Sequence, residues 1–225
     1  LTLAETLYSI KIINMKKLFP FILISLFSCT NNKIKQNEKE IIQETFEEYR
    51  KLLINDNVKE TLSMLDTNSI LYFESLLNKI ISADSIGVDS LSILDKSLIL
   101  TIRKSIVHDD MLSYTAEDLT LYALNQNSMN ESFNKKELID IQVSGNTAIG
   151  KLRDKGNDNF AGYEFGFTKE KEKWKINLTL HFKYAQEYLE SKVEKEEIKE
   201  NEFVIKGLEK LTNVNPNNNI WAPIK

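Results

Sequence analysis

Cysteine and histidine, the residue types with the broadest catalytic and metal-binding chemistry, are scarce in this chain. Its 225 residues include one cysteine, Cys29, and two histidines. One cysteine cannot form an intramolecular disulfide, and a structural Cys/His zinc site needs about four ligands of these types. The sequence therefore excludes a disulfide scaffold and a Cys/His zinc centre, and no cofactor is expected. The chemistry to consider first is modification of Cys29.

Cys29 follows a segment with the layout of a secretory signal. Met15-Lys16-Lys17 is a short basic region, residues 18–27 form an apolar run, and the small residue Ser28 precedes the cysteine. The apolar run is shorter than the about 20 residues that a membrane-spanning helix needs. Leu26-Phe27-Ser28-Cys29 resembles the bacterial lipobox, Leu-x-[Ser/Ala/Gly]-Cys.

This resemblance to bacterial lipoproteins implies that residues 15–28 are a cleaved signal peptide and that Cys29 is acylated on its sulfur and its new α-amine. We expect a lipid-anchored protein of the bacterial cell envelope that faces the periplasm or the cell surface. Several acyl chains give stable anchoring, at about 0.8 kcal/mol per buried CH₂. The alternatives are a plain signal peptide with an incidental cysteine, and a buried hydrophobic helix.

Two neighbouring segments complete the expectation for the N-terminal region. Residues 1–14 are predicted to be an over-extended start, because Met15 is followed at once by two lysines. The alternative is an unusually long basic region. Residues 29–36 are predicted to be a polar tether, and Asn37-x-x-Glu40 resembles a capping box that begins the first helix of the domain.

Two polar clusters contain oxygen or nitrogen ligands but have simpler interpretations than a metal site. His108-Asp109-Asp110 is typical of a solvated helix end, where a histidine lies favourably near the C-terminal dipole. In residues 154–159, Gly156 stands where a calcium loop needs a ligand, which favours a hairpin loop. Basic and acidic residues are interspersed at a net charge of −4, so nucleic acid is not an expected partner.

The elements that would position any site surround the one part of the chain with the alternation of a sheet. The four predicted strands are Leu138–Val143, Thr147–Arg153, Phe160–Thr168 and Lys173–Phe182. Ser144-Gly145-Asn146 is typical of a tight hairpin. Alternation gives the sheet a dry face, to which Ile139, Ile141 and Val143 are assigned, and a wet face. Helices must cover the dry face.

Apolar residues at helical spacing predict those helices before the sheet and an extension after it. A loop is predicted over residues 82–88, and Asp89 is predicted to cap the helix that follows it. The buried side of that helix is assigned to Leu94, Leu98 and Ile102, with Ile93 and Leu100 widening it. Thr115-x-x-Asp118 resembles a capping box. Residues 183–225 predict a C-terminal helical extension. Its apolar end, Ile220–Ile224, is expected to pack onto the domain, against the opening helix or the sheet edge.

The predicted fold class is α+β, with N-terminal helices packed on a four-stranded antiparallel meander over residues 37–182. Helices followed by a meander with a Trp-Lys-Ile-x-Leu strand resemble the nuclear transport factor two-like superfamily, which includes ketosteroid-isomerase-like and SnoaL-like cones. The matching residues are Phe46, Tyr49, Val143–Ala148, Phe165–Glu170 and Trp174–Leu178. The resemblance implies a cone with a cavity, although the helical stretch between Ile70 and Asn125 is longer than in compact members.

Several aromatic and apolar residues are candidates for lining that cavity, and the alternative is that they form core. They are Tyr49, Tyr72, Tyr122, Tyr163, Phe165, Trp174 and Ile176. Catalytic members of the family place an Asp or His inside the cavity as general base. Here Asp140, Glu164 and His181 have the parity of the wet face. This favours a non-enzymatic envelope lipoprotein that binds a small apolar ligand or a protein partner. The alternative is an isomerase- or hydratase-type enzyme in the same cone fold.

Overall fold

The structure is a computed structural model that describes residues 25–55, 57–106, 108–124, 135–156, 160–212 and 218–224. The chain divides into two compact units, Leu1–Glu38 and Lys39–Lys225. Residues 1–24, which hold the predicted start and most of the predicted signal peptide, lie outside the described residues, and so does the side chain of Cys29. All packing described below belongs to the unit Lys39–Lys225.

Helices occupy the chain before the sheet. They are α1 (Ser25–Ile54), α2 (Val58–Ser63), α3 (Thr67–Ser82), α4 (Ser85–Asp89), α5 (Ile93–Ser105), α6 (His108–Met111) and α7 (Ala116–Leu124). The prediction that the first helix begins at Asn37, after a tether, was wrong, because α1 begins at Ser25 and runs through residues 29–36, a stretch without glycine or proline to interrupt it. The predicted loop over residues 82–88 was also wrong: Asp84 accepts a hydrogen bond from the Gly87 amide at 2.8 Å and so caps α4.

The sheet is a four-stranded antiparallel meander in the order β1-β2-β3-β4, which confirms the predicted α+β fold. Its strands are β1 (Lys136–Ser144), β2 (Thr147–Asp154), β3 (Phe160–Glu170) and β4 (Lys173–Asn177). Gly145 has a φ of +60° in the tight turn between β1 and β2. β1 carries a bulge between Ile139 and Gln142, where Asp140 has a φ of +53°.

The bulge corrects the predicted faces of β1. Leu138 and Ile141, three positions apart, are both buried, whereas Ile139 is only half-buried. A strict period of two cannot bury both residues, and an extra residue in the strand can. The assignment of Ile139 to the dry face was therefore wrong, and that of Ile141 was right.

The prediction of a strand that continues to Phe182 was wrong. β4 ends at Asn177, and α8 (Leu178–Glu196) begins at the next residue and crosses the predicted boundary between residues 182 and 183. The Asn177 Oδ1 accepts hydrogen bonds from the amides of Thr179 at 3.0 Å and Leu180 at 3.4 Å. An asparagine in this position caps a helix and ends the extended conformation.

Helix α8 then packs across β3. A Cβ atom built at Gly166 would lie 3.0 Å from Cβ of Leu180, so a larger residue here would require α8 to shift slightly away from β3. Gly166 belongs to the face that was predicted to be wet, and α8 buries it there. The extension continues with α9 (Glu200–Thr212) and a 3₁₀ turn, Asn218–Trp221.

The C-terminal end of the chain docks onto the helices. The Ile224 amide donates to the carbonyl of Ile81 at 2.9 Å, and Ile220 is buried. The buried guanidinium of Arg103 donates to the carbonyl of Ile220 at 3.2 Å. Docking of residues 220–224 was predicted, but the partners are the end of α3 and helix α5 and not the opening helix or the sheet edge.

Candidate functional site

The residues predicted to line a cavity under the sheet pack against one another. Tyr49, Phe165, Trp174 and Ile176 are all buried. The Phe165 ring lies edge-on to Phe46 at a centroid distance of 5.3 Å and lies 6.0 Å from the Tyr49 ring. Complete burial raises the pKa of Tyr49. These side chains form the core, which was the alternative interpretation of the same pattern.

The other tyrosines of the predicted cavity lie elsewhere. The Tyr72 ring stacks on Phe182 at 4.6 Å, and its hydroxyl donates to Asp95 at 2.7 Å. Burial and the neighbouring Asp95 carboxylate raise the pKa of Tyr72. Tyr122 is half-buried at the edge of the core. The Tyr163 side chain lies outside the described residues. The described members of the predicted set are thus not gathered around one cavity.

Of the acid–base candidates, one was assigned wrongly. His181 lies on α8 and not on a strand, with its ring 6.5 Å from those of Phe165 and Phe182, so it does not lie on a wet face. Burial lowers its pKa. Asp140 is exposed and forms an ion pair with Lys151 at 3.3 Å.

The third acid–base candidate, Glu164, is half-buried and accepts a hydrogen bond from the Tyr184 hydroxyl. This hydrogen bond is the main cause that raises the pKa of Tyr184 to about 12. The pair joins β3 to α8. It therefore forms part of a contact between a strand and a helix.

Two buried cations escaped the sequence prediction. Lys96 and Arg103 on α5 are only 2% and 3% exposed. Their burial could have been inferred from the spacing, because positions 93, 96, 100 and 103 lie on one helical stripe together with the apolar Ile93 and Leu100. Of the predicted stripe, Ile93, Leu100 and Ile102 are buried, whereas Leu94 and Leu98 are half-buried. Because buried charges need partners, Lys96 and Arg103 require acceptors from other elements.

Lys96 links three helices. Its ammonium donates to Glu200 at 2.7 Å and to Asn201 at 2.8 Å on α9, and it lies 3.4 Å from the Asp89 carboxylate on α4. The Asn201 amide donates to the same Asp89 oxygen at 2.6 Å. Asp89 was predicted to cap α5, but Ser92 does so, which leaves the Asp89 side chain for this cluster. The hydrogen bond from Asn201, and then the charge of Lys96, lower the pKa of Asp89.

A groove opens beside this cluster, and we call it the α4–α9 groove. It has a volume of about 350 Å³ and is lined by Ser85, Ile86, Asp89, Asn201 and Trp221. Ile86 is 78% exposed, the largest exposure among the large apolar side chains of the described residues. A second depression of about 340 Å³ adjoins it and shares Asp89 and Asn201. Apolar walls, an aromatic ring and a carboxylate thus meet at one surface site.

A third concavity, of about 600 Å³, lies on the outer side of α1. Its lining residues are Glu47, Glu48, Arg50, Lys51, Ile54 and Asn55. Arg50 forms an ion pair with Glu47 and donates to the carbonyl of Lys136 at 2.6 Å, so its guanidinium ties α1 to β1. The charged side chains that line this concavity are of both signs, and no aromatic side chain accompanies them.

The described part of the chain shows the features of neither a metal site nor a membrane span. No group of three or more His, Cys, Asp or Glu side chains is placed there to hold a metal ion. None of the helices in the same residues is long and apolar enough to cross a membrane. Comparisons of the chain with protein-family models, with curated proteins and with solved structures give no match.

Proposed function

We propose that this chain is a lipid-anchored protein of the bacterial cell envelope, with a nuclear transport factor two-like domain, that acts by binding a protein partner. The observation that carries the partner-binding part is the packing of Tyr49, Phe165 and Ile176, which are at most 1% exposed. Side chains packed in this way leave no space for a ligand between them. The anchoring part rests on Leu26-Phe27-Ser28-Cys29.

A small apolar ligand, the other binding hypothesis, would need a cavity among these aromatic side chains. Edge-on rings at 5.3 Å for Phe46 and Phe165, and at 5.5 Å for Phe165 and Phe167, are at contact distance. The three concavities described above are instead at the surface, and their walls carry charged groups. Surface grooves of this kind suit the side chains of a protein.

The enzyme alternative finds less support. A general base of the isomerase type has to face an enclosed substrate. Glu164 with Tyr184, and Asp95 with Tyr72, are tyrosine–carboxylate pairs, but each lies at a contact between elements. Asp95 is also occupied by Lys79 at 3.1 Å. Neither carboxylate belongs to a groove described above.

Metabolic labelling with an alkyne analogue of palmitate tests the anchor. The wild-type chain expressed in bacteria should incorporate the label and fractionate with membranes. Cys29→Ser should lose the label, while Thr30→Ser, the matched control one residue beyond the lipobox, should keep it. Equal labelling of wild type and Cys29→Ser would contradict the anchor.

Native mass spectrometry of the protein extracted from its own envelope tests the binding mode. A second protein bound at fixed stoichiometry is the expected result. A retained small molecule in place of a protein would contradict partner binding and support the small-ligand hypothesis. The chain alone, seen at several mild extraction conditions, would contradict a stable partner.

A further inference from the structure

The α4–α9 groove combines two apolar side chains with one charge. Ile86 points outwards from a five-residue helix, α4, whose Val88 is completely buried. Helix α4 is therefore packed against the domain through Val88, and Ile86 is exposed because it lies on the opposite side of this helix. Single exposed apolar residues are common on protein surfaces, but here Trp221 and Asp89 line the same concavity. An apolar surface beside a defined charge is the composition of a recognition site.

Trp221 is held in place on both sides. The preceding residue, Ile220, accepts a hydrogen bond from Arg103 at 3.2 Å, and Ile224 donates to Ile81 at 2.9 Å. These bonds tie the backbone around Trp221 to helices α5 and α3. The aromatic wall of the groove is thus formed before any partner arrives, which reduces the entropy lost on binding.

Asp89 gives the groove its charge. Its Oδ1 accepts hydrogen bonds from Asn201 at 2.6 Å and Lys96 at 3.4 Å, whereas the described hydrogen bonds do not involve its Oδ2. The side chain is 57% exposed, and Lys96 is only 2% exposed. The Lys96 ammonium is therefore buried, whereas the Asp89 carboxylate is accessible to a partner. Asp89 is also the only charged residue among those that line the groove.

We propose that the α4–α9 groove binds a segment of the partner protein that carries an arginine or lysine next to an aliphatic residue. The aliphatic residue packs on Ile86, and the methylene stem of the basic residue packs along Trp221. The cation reaches the Asp89 Oδ2, with additional attraction from the indole face. This inference rests on the proposed partner-binding function and names the chemistry that the partner must supply.

The test uses the full-length chain in detergent micelles and two short peptides. The first is acetyl-Leu-Arg-Leu-amide, and the second replaces arginine by citrulline, which has nearly the same shape without the charge. The chain has two tryptophans, so the indole N–H signals in an NMR titration report separately on the groove (Trp221) and the core (Trp174). The arginine peptide should move the Trp221 signal only, and the citrulline peptide should bind about tenfold more weakly.

Variants then locate the contacts. Asp89→Asn keeps the shape and should weaken the arginine peptide about tenfold, with no change for the citrulline peptide. Ile86→Ser should weaken both peptides. Asp109→Asn, the matched control on an exposed aspartate of α6, should behave as wild type. An unchanged Trp174 signal verifies that each variant is folded.

Two results would overturn the inference. One is equal affinity for the arginine and citrulline peptides, and the other is no movement of the Trp221 signal with either peptide at saturating millimolar concentration. Neither result would affect the acylation of Cys29 or a partner found by native mass spectrometry. Failure of this inference would therefore be distinct from failure of the proposed function, and would mean that the partner binds at another surface.

Discussion

The interior under the sheet and the helical region around α5 are held together by different interactions. Beneath the sheet, Phe46, Phe165 and Phe167 are buried and pack ring against ring. Around α5, Lys96 and Arg103 are buried and depend on hydrogen bonds to other elements. Apolar burial has no direction and can close completely, whereas a buried cation needs acceptors at defined positions.

This difference accounts for where the candidate site lies. The described aromatic side chains of the interior are buried and in contact with one another, so they leave no space for a ligand between them. The acceptors of Lys96 include Asp89 and Glu200, which are 57% and 43% exposed, so polar groups reach the surface there. Arg103 instead binds the carbonyls of Lys79, Ile80 and Ala83 at the end of α3. The molecule thus has an apolar core, an internal cation in Arg103, and a second cation, Lys96, that binds two of the residues lining a surface groove.

The largest effect is expected in the interior. Phe165→Ala should lower the free energy of unfolding by about 3–5 kcal/mol, because it leaves a cavity among Phe46, Tyr49 and Phe167. Urea unfolding followed by circular dichroism measures the change. Tyr188→Ala, at a residue that is 50% exposed, is the control and should cost no more than about 0.5 kcal/mol. Similar losses for both variants would show that Phe165 is not in a packed core.

Removal of the internal cation should have the next largest effect. Arg103→Met should cost about 2–3 kcal/mol, because the buried carbonyls of α3 and of Ile220 lose their donor. The docked end of the chain should also become sensitive to limited proteolysis, with cleavage beyond residue 212 detected by intact mass. Lys104→Met, at the neighbouring residue, is the control. Unchanged stability with a protected C-terminus would argue against this role of Arg103.

Removal of the other buried cation should cost less. Lys96→Met should change the free energy of unfolding by about 1 kcal/mol or less, because Asp89 and Glu200 regain water and methionine fills the same space. The same urea experiment compares it directly with Arg103→Met. A decrease in the free energy of unfolding as large as that of Arg103→Met would show that the two cations contribute equally to stability.

The smallest effect concerns His181, where α8 meets the aromatic interior. Burial holds its pKa in the folded state below the ordinary value of 6.5, so the unfolded state binds the proton more readily. The contribution of neutral His181 to the free energy of unfolding is therefore complete above pH 6.5. It is lost as the pH falls from 6.5 towards the lower pKa of the folded state. His181→Gln should flatten the dependence of unfolding free energy on pH in this range. Parallel curves for the two proteins would contradict the burial of the imidazole.

Features that depend on neighbouring residues were predictable from the sequence. The Thr115–Asp118 capping box is confirmed, since the Thr115 amide donates to Asp118 at 2.8 Å and the Asp118 amide donates back to Thr115 at 3.2 Å. The strands of the meander and the turn at Gly145 also depend on residues that are close together in the sequence. The strand end at Asn177 is local too, but it was missed because Leu178, Leu180 and Phe182 continue the alternation of a strand into the first turns of α8.

The candidate groove could not be predicted, because its residues are far apart in the chain. Ile86 and Asp89 come from α4, Asn201 from α9 and Trp221 from the docked end. The only indication in the sequence is Lys96, a cation on an otherwise apolar helical stripe. The sequence pattern does not show which residues accept hydrogen bonds from Lys96.

The sequence by itself determined the α+β architecture, the hairpin, the capping box and the motif at Cys29, since each depends on residues a few positions apart. Tertiary structure alone decided that Tyr49, Phe165, Trp174 and Ile176 are core and that two cations of α5 are buried. It also decided that Asp89 faces a groove beside Trp221, 132 positions later in the chain. The physical reason is that alternation and helical stripes show which side of an element avoids water, while burial of charge and the shape of a groove depend on which elements meet.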